Sequence, residues 1–180
     1  MTLSADQRGI VINGGVALAL TIAALVTGYV LIPPGALGLE ADMGVAERLA
    51  YVLKWDLLIL LWLAGCVRVV SSGRFNSVAD IRGSAFSPPS TAIAVKSAVL
   101  QNSLEQSVLA IGVHLALATL LAGAELRLVP LLVAVYLFGR VTFALGYAKG
   151  PAARAFGMTV TGGALIAAFF VAFAAIASGR

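Results

Sequence analysis

The sequence is poor in the residues that usually carry soluble chemistry. It has one cysteine and one histidine in 180 residues. A lone Cys66 excludes an internal disulfide and any multi-cysteine metal site. A lone His114 cannot build a metal site either, so no metal cofactor is expected. Charge is scarce as well: 11% of residues are charged, against 61% hydrophobic. Soluble domains carry roughly 25% charged residues. A chain of this length has no interior large enough to hide so much apolar surface from water. The bilayer must be the solvent.

The net charge of +4 does not point to nucleic acid. The basic residues stand singly between apolar runs, with no basic stripe and no interleaved aromatics. Anionic lipid headgroups or a small anionic substrate fit that pattern better. Cys66 itself lies in an apolar run and reads as a small buried apolar residue.

The apolar runs predict an all-α membrane bundle of five spanning helices in one domain, residues 1–180. Segment one, Ile10 to Ile32, carries no charge and ends at Pro33-Pro34-Gly35. It is too long for a signal h-region and has no clear small-residue cleavage site, so it is read as a retained helix. Segment two runs from about Ala50 to Val70. Lys54, Asp56 and Arg68 lie near its ends, where side chains reach an interface. Segment three opens after Pro88-Pro89, with Ser90 or Thr91 as cap, and continues to about Leu121. At ~1.5 Å per residue that is about 48 Å, longer than the hydrocarbon core. Segment four runs from about Leu128 to Tyr147, and segment five from Ala155 to Ala177. Gly14-Gly15 and Gly162-Gly163 are expected to allow close helix approach. Tyr51, Trp55 and Trp62 read as interface or packing residues.

Five spans put the termini on opposite sides. Arg8, Arg68, Arg74, Arg82, Lys96, Lys149 and Arg154 share one side. Arg48, Arg127 and Arg180 share the other with Glu40, Asp42, Glu47 and Glu125. The more basic side is expected to be cytoplasmic, which places the N-terminus inside and the C-terminus outside.

Ionisable groups at membrane depth need a reason, because each costs about 2.5–3.5 kcal/mol on insertion scales. Glu105 and Arg140 are the two strongest cases. Gln101, Asn102 and Glu105 form one polar patch on segment three, since residues three and four apart are helix neighbours. Arg140, Phe143, Ala144 and Tyr147 share a face of segment four. Two readings stand side by side. Glu105 and Arg140 form a structural ion pair, or the patch is a pocket for a small zwitterionic ligand. Arg154 has two readings as well. It is a snorkelling surface residue, or it faces a bound anion at a helix N-terminus, where a cation otherwise opposes the dipole. His114, nine residues past Glu105, falls on roughly the opposite face and reads as packed or hydrogen-bonded between helices.

The run Gln101-Asn102-Ser103-Leu104-Glu105-Gln106 resembles the Q-N-x-x-E signature of the membrane-associated proteins in eicosanoid and glutathione metabolism, the MAPEG family, which includes the microsomal glutathione transferases. Gly139-Arg140, Gly146-Tyr147 and Arg154 follow at the family's spacing. The resemblance covers about residues 50–180 and leaves residues 10–32 as an additional N-terminal helix outside a four-helix core. It implies a homotrimer that binds glutathione, or another small thiol, between subunits near one membrane face. Asn102 and Glu105 would hold the tripeptide's polar ends, with Gln101 beside them. Arg140 and Tyr147 would contact its carboxylates or backbone. Arg154 would stabilise the thiolate that attacks a lipophilic electrophile or hydroperoxide. Ala98 stands where members often carry arginine, and Phe143 where active transferases often carry tyrosine. These departures favour the alternative, a non-catalytic lipid-binding or scaffold member of the family.

Overall fold

A computed structural model describes residues 3–180 and contains five long helices and no strand among them. All five are long and apolar enough to cross a membrane. α1 spans Ala5–Leu31, α2 Val45–Phe75, α3 Thr91–Leu120, α4 Leu128–Tyr147 and α5 Pro151–Ala177. Short 3₁₀ turns, Pro34–Leu37 and Gly123–Arg127, lie before α2 and α4.

The helix starts follow local chemistry. At α1, Gln7 N donates to Ser4 Oγ and Ser4 N donates to Gln7 Oε1, a reciprocal capping box. At α2, Gly44 N donates to Glu47 Oε2. Ser90 caps α3 by accepting from Ile93 N. Asp80, in the loop before α3, accepts from Ser77 Oγ and Ser90 N. Those hydrogen bonds hold its carboxyl below the usual carboxylate range. α5 begins at Pro151, four residues earlier than its apolar run. Proline lacks only an N–H that the first turn leaves unused. Gly150, at φ 117°, takes the preceding conformation that a side chain would strain. α2 likewise extends beyond its apolar core at both ends.

The arginines at the 31/45, 120/128 and C-terminal end of the bundle close it there. Arg48 donates to the Leu121 carbonyl, and Arg127 donates to the Ile32 carbonyl. Both carbonyls terminate helices, where cations are favoured. Arg180 forms a salt bridge with Glu125 at 2.7 Å.

α4 and α5 make the closest helix pair. A Cβ at Gly139 would collide with Thr161, one at Gly157 with the α4 backbone at Phe143, and one at Gly146 with the Ala153 carbonyl at 2.6 Å. Small residues thus let the two backbones touch. α1 packs along α5: Gly14 faces Thr159 and Gly163 faces Leu18 and Thr21, whereas Gly15 and Gly162 face open space. Only one glycine of each predicted pair therefore works as a contact.

Candidate functional site

Arg140 is fully buried, at 0% exposure. The first of the two readings, an ion pair between Arg140 and Glu105, does not hold. Arg140 Nη1 donates to Asn102 Oδ1 at 2.7 Å and Nε donates to Thr161 Oγ1 at 3.1 Å, while Nη2 lies 3.9 Å from Met158 Sδ. The Phe143 ring stacks on the guanidinium at 4.5 Å. Every one of these partners is neutral, and no carboxylate lies within salt-bridge distance among the described residues. Glu105 points the other way. It is exposed on the outer face of α3 and accepts a hydrogen bond from Gln101 Nε2 at 3.0 Å. The i, i+3 relation of Asn102 and Glu105 leaves them about 60° apart on the helix. That is enough for one to turn inward and the other outward.

Beside Arg140 lies a cavity of about 340 Å³ whose lining includes Asn102, Phe143, Tyr147, Arg154, Met158 and Ile10. Arg154 is half-buried, and its guanidinium sits 4.7 Å from the Tyr147 ring centroid. The structure therefore brings Asn102, Arg140, Tyr147 and Arg154 together and leaves Gln101 and Glu105 outside. The Arg154 guanidinium in the lining and the Arg140 guanidinium buried behind Asn102, with no acid in the lining, give the cavity a positive field, which a low-dielectric surrounding strengthens. Asn102 commits its carbonyl oxygen to Arg140 and leaves its amide N–H groups for a ligand. An anion with hydrogen-bond acceptors suits this lining.

A second, larger cavity of about 590 Å³ runs between α2, α3 and α4 past Leu58, Leu61, Trp62, Val69 and Val99, with Lys96 among its lining. Cys66, Val99 and Phe143 pack together as a small apolar cluster. Cys66 and Val99 line the larger cavity, and Phe143 the smaller one. The thiol of Cys66 is buried and lies 3.9 Å from Ser103 Oγ, in keeping with a packing role.

Asp56 corrects a further expectation. It does not reach an interface: it is 1% exposed and pairs with His114, Oδ1 to Nδ1 at 2.7 Å. Lys54, two residues away and so about 200° around the helix, is exposed. His114 lies opposite Glu105 on α3, as the spacing predicts, and joins α3 to α2. Trp62 Nε1 donates to Ser103 Oγ, and Tyr136 and Ser107 share a hydrogen bond at 2.8 Å, which ties α4 to the same pair.

A sequence model of the MAPEG family matches residues 16–174. The chain belongs to the MAPEG family, and its five apolar helices form an integral, multi-pass membrane bundle. The matched stretch begins inside α1, so it takes in the greater part of the first helix as well as the other four. A comparison with curated proteins finds no match, and one with solved structures finds none either.

The Asp56–His114 pair generates a stability prediction. His114→Leu strands a buried carboxylate and should cost about 3–5 kcal/mol. Asp56→Leu/His114→Leu removes both polar groups and should cost clearly less. Unfolding of the detergent-solubilised protein measures both. With Asp56→Leu as the other single variant, a double-variant loss equal to the sum of the two single losses would mean that the pair is not coupled.

Proposed function

We propose that this protein binds glutathione, or another low-molecular-weight thiol, in the cavity lined by Asn102, Tyr147 and Arg154, with Arg140 buried behind Asn102, and transfers it to lipophilic electrophiles. The observation that supports this most is the fully buried, acid-free guanidinium of Arg140 beside an open cavity that holds a second guanidinium. A buried charge without a counter-ion is costly, and an anionic ligand offsets that cost. Asn102 serves as a binding group, and Arg140, buried behind it, orients the Asn102 amide and adds positive field. Arg154, in the first turn of α5, is the group assigned to the sulfur. Thiols ionise near pKa ~8.5, and an adjacent guanidinium lowers that value. In transfer, the thiolate forms a C–S bond as the bond to the leaving group breaks with its electron pair. With a hydroperoxide, two thiols are oxidised to a disulfide while the hydroperoxide is reduced to an alcohol and water. The apolar cavity between α2, α3 and α4 offers a lipophilic co-substrate a place next to the Phe143 wall.

The second reading is a lipid-binding or scaffold member without turnover. The size and apolar lining of the 590 Å³ cavity favour it, as do Ala98 and Phe143.

Arg154 separates the two readings. Its guanidinium should contribute about 1.5–3 kcal/mol to a bound thiolate, or roughly one to two pH units of thiol acidity. Glutathione bound to the wild type should then show near-ultraviolet thiolate absorbance at neutral pH. Arg154→Ala should abolish the signal while Asn102 and Arg140 retain part of the binding. Arg154→Lys should keep part of the signal, because a point charge remains without the planar fork. Binding without thiolate in the wild type, or thiolate in the Ala variant, would move the scaffold reading ahead.

A homotrimer belongs to the same proposal. Gln101 and Glu105 lie exposed near the middle of α3, a membrane-spanning helix, and lipid cannot solvate them. A neighbouring copy covers that stripe and brings Glu105 to the interface, where it can meet the ammonium group of a ligand. Native mass spectrometry in mild detergent should show trimers, weakened by Glu105→Leu. Monomer alone under every mild condition would refute the assembly.

The orientation follows from basic-residue asymmetry, with the thiol cavity on the cytoplasmic side. Reporter fusions after Pro34 and at Arg180 should both read external. A cytoplasmic signal at Arg180 would reverse the assignment.

A further inference from the structure

We infer that α1 is a working wall of the thiol cavity, with Ile10 setting which ligands fit and Asn13 positioning Arg154. This rests on the thiol-site reading above and concerns a helix to which that reading gives no role. Three observations carry it. Ile10 lines the same cavity as Asn102, Tyr147 and Arg154. Asn13 Nδ2 donates to the Ala152 carbonyl oxygen at 2.7 Å, two residues before Arg154 in the first turn of α5. Gly9 and Gly14 let the α1 backbone close on that turn: a Cβ at Gly9 would come 2.7 Å from Ala152 Cβ, and one at Gly14 3.3 Å from Thr159 Oγ1.

These residues act as one device. Ile10 and Asn13 are three apart and share a face of α1. The face that docks on α5 therefore also presents Ile10 to the cavity. A backbone carbonyl has two lone pairs, so Ala152 can accept from Asn13 without giving up its place in the helix. That bond fixes the rotation of the turn that carries Arg154, and with it the guanidinium's place over Tyr147.

Ile10 works with Phe143, Met158 and Ala155 as the apolar part of the lining. Apolar cover near the sulfur keeps water out and raises the effect of Arg154 on it. It also limits the bulk that the sulfur can carry. At about 340 Å³, the cavity sits at the small end of ligand pockets, which run from about 300 to 1,000 Å³. The ligand class is thus a compact anionic thiol. Its S-alkyl conjugates should be disfavoured by contact with Ile10.

The full-length protein in detergent tests this with glutathione and S-hexylglutathione as probes, by calorimetry and by thiolate absorbance against pH. Ile10→Trp should weaken glutathione binding by about tenfold or more. Ile12→Trp adds the same bulk on the opposite face of α1, about 200° around the helix, at a residue 64% exposed, and should leave binding unchanged. Ile10→Ala should improve S-hexylglutathione binding relative to glutathione. Asn13→Ala should slow transfer by about three- to tenfold with little change in KM, and should move the thiolate titration to higher pH. Asn13→Gln, which keeps an amide donor, should recover part of that shift. If the wild type binds glutathione and the Ile10 and Asn13 variants match it in affinity, selectivity and titration, α1 is no more than a membrane anchor and this inference falls alone. If the wild type binds neither probe, the thiol site and the inference fall together.

Discussion

Placing a guanidinium inside a membrane bundle is costly unless its nitrogens find partners, and each of the three nitrogens of Arg140 has one. Asn102 comes from α3, Thr161 and Met158 from α5, and Phe143 from the next turn of α4. Thr161 reaches Nε only because Gly139 and Gly157 let α4 and α5 touch. A side chain at either glycine would push the two helices apart and leave a buried donor unpaired, at about 1–3 kcal/mol. The closest helix contact and the proposed ligand site are thus one construction. The partners satisfy hydrogen bonds without neutralising the charge, so the positive field persists at the cavity.

Much of this could be read from the residues. Charge-free runs located α1 and α5, and the proline pairs located the breaks. Arg140 and Tyr147 are seven apart, about 20° off in register, and both come to the cavity side. What the sequence could not supply was the azimuth of each helix against its neighbours. Periodicity relates Gln101, Asn102 and Glu105 to one another on α3. It does not say which edge of that patch faces α4. Asn102 is the inward edge, and that rotation rules out the reading in which Glu105 pairs with Arg140. The Asp56–His114 contact was hidden for a different reason. Asp56 stands beside Lys54 near a helix end, where a solvated charge is the ordinary expectation, and only the position of α3 shows which of the two faces inward. The glycines of the α4–α5 seam gave no pairwise signal, because Gly139, Gly146 and Gly157 are spread over two helices.

Phe143 gains a meaning from these contacts that its lack of a hydroxyl obscures. Its ring lies against the Arg140 guanidinium and 5.3 Å from the Tyr147 ring, which in turn carries Arg154. The two cations are therefore linked through an aromatic pair, each stabilised by a π face without being neutralised. The same ring packs with Cys66 and Val99, which line the larger apolar cavity. A phenylalanine can serve as the wall between an apolar cavity and a charged one, because it offers hydrocarbon to the first and quadrupole to the second.

The distribution of acid in the bundle completes the logic. Asp56 is the one carboxylate fully buried among the membrane-spanning helices, and it is engaged with His114 on the side of the bundle where Arg48 and Leu121 meet. Between it and Arg140 lies a neutral layer of Trp62, Ser103, Ser107 and Tyr136 joined by hydrogen bonds. Had the acid been placed against Arg140, the guanidinium would have been neutralised internally and the cavity would have no preference for an anion. Had His114 been missing, Asp56 would have stood unpaired in an apolar core. Keeping the acid on the imidazole and away from the guanidinium leaves Arg140 without an internal counter-ion. A positive charge without a counter-ion at membrane depth is costly, and an anion arriving from outside the subunit at the Arg154 side of the cavity is what the proposed ligand site would supply.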